Sequence, residues 1–246
     1  MSLPVFRHPD LRGAQPGQPV GIDGAEGRHA VTVKRIAPGE QVQFADSAGR
    51  TATVSVTEVR GKDVLVGTVE EVAHEELPRP QVVVVQAIPK SERAELAVDL
   101  ATQAGADEII AWQAQRCVAK WDAKKAPKAL AKWQAAAQAA AKQARRARVP
   151  EVSGPLTTAQ LAQELQCRCD EGAVVYVLHE EATQGIKDVD LDADVVVLVV
   201  GPEGGIGSDE LAALPGQAVK LGPQVVRTAA AAMVALAAIG VRTTRW

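Results

Sequence analysis

The stretch that decides the fold is "DADVVVLVVGPEGGIGSDE", residues 192–210. Its first half is apolar, β-branched and unbroken, which predicts a strand buried on both faces and ending near Val200. Its second half packs four glycines and one proline into residues 201–207. Glycines there let backbone N–H and C=O groups approach a partner that side chains would hold off. A plainer reading stands beside it: a strand-to-helix turn with Ser208 as N-cap, and Asp209 and Glu210 in a first helical turn where the helix dipole favours acids.

The rest of the chain reads as two halves with different patterns. Residues 1–73 are β-rich: "EQVQFAD", "RTATVSVTEVRG" and "DVLVGTVEEV" alternate or run β-branched between turn signals such as "APGE" and "RGKD". Short strands at this spacing predict a small barrel. "GRHAVTVKRIAPGE" fits a short helix or another strand equally well. Two prolines in residues 74–80 mark a linker. From residue 80 to 246 strands alternate with helices: "VVVVQAI", then "SERAELAVDLATQAG" with Ser91 as N-cap and Leu96 and Leu100 on one face, then "DEIIAW", the long "PKALAKWQAAAQAAAKQARRAR", "TTAQLAQEL", "AVVYVLH", "DVVVLVV" and the final "VVRTAAAAMVALAAIG". That alternation predicts a mostly parallel sheet covered on both faces.

In such a sheet ligands bind beyond the carboxyl ends of the strands. Three places qualify: "LHEEA" from Leu178, "GPEGGIG" from Gly201 and "LGPQVVRT" from Leu221. All three follow strand-like segments, so their loops can converge. The glycine patterns of a dinucleotide fold or a P-loop are missing, as are the zinc-protease helix and the nucleophile elbow. His179-Glu180 has the look of catalytic chemistry, yet a lone histidine at a strand end is more often structural.

With 246 residues, 47% hydrophobic and only 3% aromatic, the core must be built from Val, Leu, Ile and Ala. Cys117, Cys167 and Cys169 lack the spacing of a zinc site, so reduced thiols and no metal are expected. No apolar run approaches the ~20 residues that span a bilayer, and no charged, apolar-cored leader opens the sequence, which predicts a cytoplasmic protein without membrane contact. The net charge of -3 conceals an uneven distribution. Between residues 115 and 149 stand Arg116, Lys120, Lys124, Lys125, Lys128, Lys132, Lys142, Arg145, Arg146 and Arg148 against the single acid Asp122. At 100° per residue, Lys128, Lys132, Lys142 and Arg146 share an arc of about 80°, with Leu130, Trp133, Ala137, Ala141 and Ala144 opposite. A stripe so poor in acids favours a polyanion over the commoner solvated face, and its binding would weaken steeply with salt.

"LVVGPEGGIGSDE", "LGPQVVRTAAAAMVALAAI", "IPKSERAELAVDLATQAGADEIIAWQAQRCVAKWD" and "AAAKQARRARVPEV" together resemble the bacterial 16S ribosomal RNA uridine N3-methyltransferases of the SPOUT superfamily. The resemblance runs from the β-rich start to the last helix. It implies an N-terminal PUA-like RNA-binding β-barrel over residues 1–73 and, over 80–246, an α/β methyltransferase domain whose parallel sheet carries a trefoil knot. It implies S-adenosylmethionine as cofactor, held by Leu178, His179 and Glu180, by Gly201, Pro202, Gly204, Gly205 and Ile206, and by Leu221, Gly222, Pro223 and Thr228. A homodimer would complete the site, and 16S RNA or the assembled small subunit would be the substrate. Uracil N3 carries a proton that must leave as the methyl group arrives. Arg227 is the first catalytic candidate, a guanidinium for the O2 or O4 on which charge develops, or else a phosphate or carboxylate partner. Glu203 orients the pocket, accepts a proton or caps loop amides. Arg7, Lys90, Arg93, Lys128, Lys132, Lys142, Arg145 and Arg146 are the expected RNA contacts.

Two positions depart from the family pattern. Ala229 follows the Arg-Thr pair where relatives carry an acid, and Ala144 stands where serine is expected. Two rival readings accompany the leading one: a relative acting on transfer RNA or another ribosomal site, and a non-catalytic RNA-binding or ribosome-assembly factor.

Overall fold

The computed structural model describes residues 3–90 and 93–246. Ser91, expected to cap a helix, lies outside the described residues. Two compact units emerge: Met1–Leu77 together with Ala141–Val149, and Pro78–Ala140 together with Pro150–Trp246.

The first unit is a curled five-stranded sheet of β1 (Val5–Arg7), β2 (Pro19–Ile22), β3 (Gln41–Ala45), β4 (Arg50–Arg60) and β5 (Val64–His74), in the order β1-β3-β4-β5-β2. Only β1 and β3 pair in parallel. The period-2 pattern of β4 and β5 places Ala52, Val54, Val56, Leu65 and Val69 inside, against Phe6, Leu11, Val42 and Phe44. Two register shifts along the β4–β5 pair bend these strands over that core. The ambiguous "GRHAVTVKRI" is helical: α1 (Gly24–Arg28) runs into a π-helical turn, His29–Val33. Gly27 permits this, because a Cβ there would lie 1.8 Å from the Asp63 carbonyl oxygen.

The second unit holds a six-stranded, wholly parallel sheet of β6 (Gln81–Ala87), β7 (Glu108–Gln113), β8 (Glu151–Thr157), β9 (Val174–Leu178), β10 (Val195–Val200) and β11 (Gln217–Val219), in the order β11-β9-β10-β6-β7-β8. Val82 to Ala87 and Val196 to Val200 are buried without interruption, as strands covered on both faces must be. The helices are α2 (Ala94–Gln103), α3 (Ala126–Gln143), α4 (Thr158–Asp170), α5 (Ser208–Ala213) and α6 (Thr228–Arg242). After β10 the chain passes to the far edge beside β9, then returns as α6 to pack on α2, β6 and β10. Among the described residues no helix is long and apolar enough to cross a membrane.

Four details differ from the sequence expectations. α2 buries Ala94, Ala97, Val98 and Ala101, whereas Leu96 is 47% exposed. α6, which packs on it, buries Ala231, Ala232 and Ala235 among its residues, and small side chains let two helices approach closely. The long helix stops at Gln143, because Arg145 adopts the left-handed region at φ 55°. Arg145 and Arg146 therefore do not continue the stripe, and Ala144 is exposed instead of facing the core. Ser208 is the first residue of α5, whose N-cap is Gly207. "EVSGPLT" forms β8, unforeseen because Gly-Pro reads as a turn; at the sheet edge the missing proline donor is tolerated.

Candidate functional site

β9, β10 and β11 lie near one edge of the parallel sheet, and all three release their chains at the same end. Beyond them is a cavity of about 620 Å³, lined by Leu178, His179 and Glu180 from the exit of β9, by Gly201 to Ile206 from the exit of β10, and by Leu221 to Thr228 from the exit of β11. That size suits a ligand of nucleoside dimensions. Every cofactor position expected from the sequence lines it, as do Glu203, Arg227 and Arg93.

Local chemistry fixes each wall. The Gly205 amide donates to the Pro202 carbonyl over 2.9 Å, closing a tight turn, and Gly205 sits at φ 74°, where a side chain is strained. At Gly201 a Cβ would come within 2.6 Å of Ile206 Cγ1. Gly222 is the opposite case: nothing lies within 4 Å of a Cβ there, so its open side faces the cavity. The amides of Gly204, Ile206 and Gly222 meet no protein acceptor among the described residues. They are donors available to a ligand. The His179 amide donates to the Val219 carbonyl over 2.9 Å, which ties the β9 loop to the exit of β11, and His179 Nδ1 accepts from the Glu181 amide over 3.3 Å. Arg227 is the N-cap of α6; its carbonyl accepts from the Ala230 and Ala231 amides while its side chain stays exposed at the cavity. The buried Thr228 and Ala229 begin that helix. Glu203 Oε1 accepts from the Lys90 amide over 3.2 Å, so this carboxylate is tied to the segment after β6, not to its own loop.

The expected RNA contacts divide. Lys128 and Lys132 are exposed on α3, Lys132 in a loose 3.9 Å ion pair with Glu95. Lys90 is exposed and Arg93 reaches the cavity. In the first unit Lys142 is bound by both Glu26 oxygens at 2.8 Å and sits over the Phe6 ring, with only 21% of its side chain exposed. Arg7 donates to the carbonyls of Arg146 and Ala147 over 3.0 and 3.2 Å. Burial pushes its guanidinium below the usual range, against the pull of Glu26 and Asp46. Arg145 and Arg146 follow the end of α3, exposed and half-buried respectively.

Lys220 also lines the cavity and was not named from the sequence, and Arg116, counted there only in the cationic run and given no place in the site, lines it too. Arg116 Nη1 donates to the Gly204 carbonyl over 3.1 Å. Its signal was its place: it follows β7 on the carboxyl side of the sheet, where ligand-binding loops belong.

A parallel sheet that gathers three strand-exit loops around one cavity, carried with a curled β-sheet unit, defines the class: a SPOUT-type methyltransferase with a PUA-like domain. The family described as "RNA methyltransferase domain" matches residues 75–240, and "RNA methyltransferase PUA domain" matches residues 22–69. Ribosomal RNA small subunit methyltransferase E of Mycobacterium bovis is 52% identical over 229 residues, 92% of this chain and 87% of the relative. A methyltransferase of Legionella pneumophila, solved with S-adenosylmethionine bound, superposes with a TM-score of 0.85 at 26% identity over 98% of each chain. Ribosomal RNA small subunit methyltransferase E of Neisseria gonorrhoeae shares the fold, with a TM-score of 0.86 over 98% of each chain at 23% identity. The chain belongs to the ribosomal RNA small subunit methyltransferase E family.

Proposed function

We propose that this protein transfers the methyl group of S-adenosylmethionine to N3 of a uridine in the RNA of the small ribosomal subunit, acting as a cytoplasmic homodimer. The observation that carries the reading is the convergence of three strand-exit loops, two of them glycine-bearing, on one cavity, in a chain 52% identical to a ribosomal RNA small subunit methyltransferase. The residues present fit the cofactor. Free amides at Gly204, Ile206 and Gly222 and the open side of Gly222 suit a ligand held by backbone contacts, and no lysine-clamped phosphate loop competes for the role.

When bound, S-adenosylmethionine supplies an electrophilic methyl group on a sulfonium centre, so the protein contributes orientation and charge management. Leu178, His179 and Glu180 form one wall, Gly201, Pro202, Gly204, Gly205 and Ile206 a second, and Leu221, Gly222, Pro223 and Thr228 a third. The Arg227 guanidinium, exposed at the cavity, holds the uracil O2 or O4 as N3 gives its proton to solvent water and negative charge spreads to those oxygens. Glu203 serves as an orienting group: its bond to the Lys90 amide ties the glycine loop to the segment after β6. Residues 1–73 act as the RNA-binding domain and residues 80–246 as the methyltransferase domain. Lys90, Arg93, Lys128 and Lys132 contribute phosphate contacts, whereas the partners of Arg7 and Lys142 give those two a structural task in the first unit.

The test is incubation with methyl-labelled S-adenosylmethionine and undermethylated small subunits, followed by mapping of the labelled base. Label at N3 of a uridine in the small-subunit RNA is expected. Label on transfer RNA, or at another atom, would overturn the assignment, and tight cofactor binding with no label on any RNA would favour an assembly factor.

A further inference from the structure

We propose that Arg116 is a substrate-holding residue whose Nε–Nη2 edge takes a phosphate group of the RNA strand at the mouth of the cofactor cavity, and that the buried Glu210 is the positioning residue that holds it there. The proposal rests on the methyltransferase reading only in taking RNA as the substrate.

Glu210 lies in the first turn of α5 and is 1% exposed. A carboxylate is costly to bury without partners, so its surroundings are informative. Its Oε1 accepts the Gln115 amide over 3.0 Å and the Thr158 hydroxyl over 2.6 Å, and Thr158 Oγ1 in turn accepts from Trp112 Nε1 over 3.2 Å. These bonds fasten the chain just past β7, one residue before Arg116. Oε2 is buried and has no hydrogen-bond partner among the described residues. It flanks Gly207: a Cβ there would lie 3.9 Å from Oε2, 3.9 Å from Arg116 Nη2 and 4.0 Å from Arg116 Nε. The unpartnered oxygen and the guanidinium thus border the same glycine. An uncompensated carboxylate oxygen beside the loop favours a cation held in that place.

The arginine stem runs along the glycine loop. A Cβ on Gly204 would come within 3.1 Å of Arg116 Cβ, and Nη1 is committed to the Gly204 carbonyl. Nε and Nη2 make no hydrogen bond among the described residues, and the side chain is exposed at the cavity lining. One edge of the guanidinium is therefore fixed while the other is open. That open edge offers two parallel N–H donors, the geometry that matches two oxygens of a phosphate. Arg93 and Arg227 line the same cavity, adding positive charge where a strand would deliver its nucleotide.

The experiment is equilibrium binding of unmodified 16S RNA, transcribed in vitro, to the cofactor-saturated full chain across a salt series. Arg116→Ala is expected to weaken binding about tenfold and to lower the salt slope by about one, the signature of one lost phosphate contact. Arg116→Lys should keep most of the slope yet bind more weakly, because the charge remains and the fork is gone. Glu210→Ala should reproduce the loss of slope, Glu210→Gln should restore most of it by keeping the Gln115 acceptor, and the double variant Arg116→Ala/Glu210→Ala should bind no worse than Arg116→Ala alone. If circular dichroism shows Glu210→Ala unfolded, Glu210→Asp is read in its place, since the shorter side chain withdraws from the same amide. An unchanged slope in Arg116→Ala, with only the calorimetric cofactor affinity altered, would overturn the phosphate role. Fully additive losses in the double variant would overturn the positioning role of Glu210. A wild-type chain that methylates no RNA but loses a unit of slope on Arg116→Ala would leave this inference standing and sink the methyl-transfer reading.

Discussion

The glycine loop at residues 201–207 and the cationic run at residues 126–148 both stand out in the sequence, and the structure treats them differently. Each feature of the loop has a local cause: Gly205 needs its positive φ, Gly201 has no room for a Cβ, and Pro202 accepts the bond that closes the turn. The cationic run is divided by partners far away in sequence. Lys128 and Lys132 stay exposed on α3, while Lys142 is neutralised by Glu26, a residue 116 positions earlier. Backbone requirements are written into neighbouring residues; the fate of a charge depends on who faces it.

The largest expected effect breaks the loop side of this comparison. Gly205→Val places a β-branched residue at φ 74°, a conformation costing of order 1–3 kcal/mol even for residues that tolerate it. The loop should reshape, and calorimetry should show cofactor affinity reduced by a factor of about 100 or more while circular dichroism stays native. Unchanged affinity would show that the loop does not hold the ligand. Next comes Arg227→Ala, which should lower kcat about 10²–10³-fold, as loss of a single donor to a developing oxyanion does, with a much smaller change in KM for RNA. Equal loss in both constants would make Arg227 an ordinary binding group.

The charge side is sharpened by contrasting two sets of lysines. Lys128→Glu with Lys132→Glu should weaken RNA binding about tenfold and flatten its salt dependence, with Tm within a few degrees of wild type. Lys142→Ala should do the reverse, costing about 1 kcal/mol through the partly buried Glu26 left behind and lowering Tm, while leaving the salt slope unchanged. Should the two behave alike, partner assignment would not decide which cations face RNA. The smallest effect is Gly222→Ala: a Cβ there meets nothing within 4 Å, so Tm should not move and cofactor affinity should fall only a few-fold.

Much of the site was legible because it follows from backbone rules. β10 is apolar on every residue and β6 on all but Gln81 and Gln86, and the loops after β9, β10 and β11 lie where parallel sheets place ligands; fourteen positions named on those loops, and Arg93 besides, border one cavity. What escaped depended on distant neighbours. β8 hid behind its Gly-Pro step, the face of α2 that carries Leu96 and Leu100 is not the one the helix buries, and nothing in the helical period of α3 foretold the left-handed Arg145 that ends it. Arg116 and Glu210 were passed over for the same reason. One reads as surface charge and the other as a first-turn acid, and only the fold brings the residue before Arg116 to the Glu210 carboxylate.

The most direct test of the central claim is a crystal structure of this chain with S-adenosylmethionine bound. The account predicts the ligand in the cavity beyond β9, β10 and β11, with contacts from all three loops and backbone bonds to amides such as those of Ile206 and Gly222. Density for the ligand anywhere else on the chain, or touching only one of those loops, would contradict it.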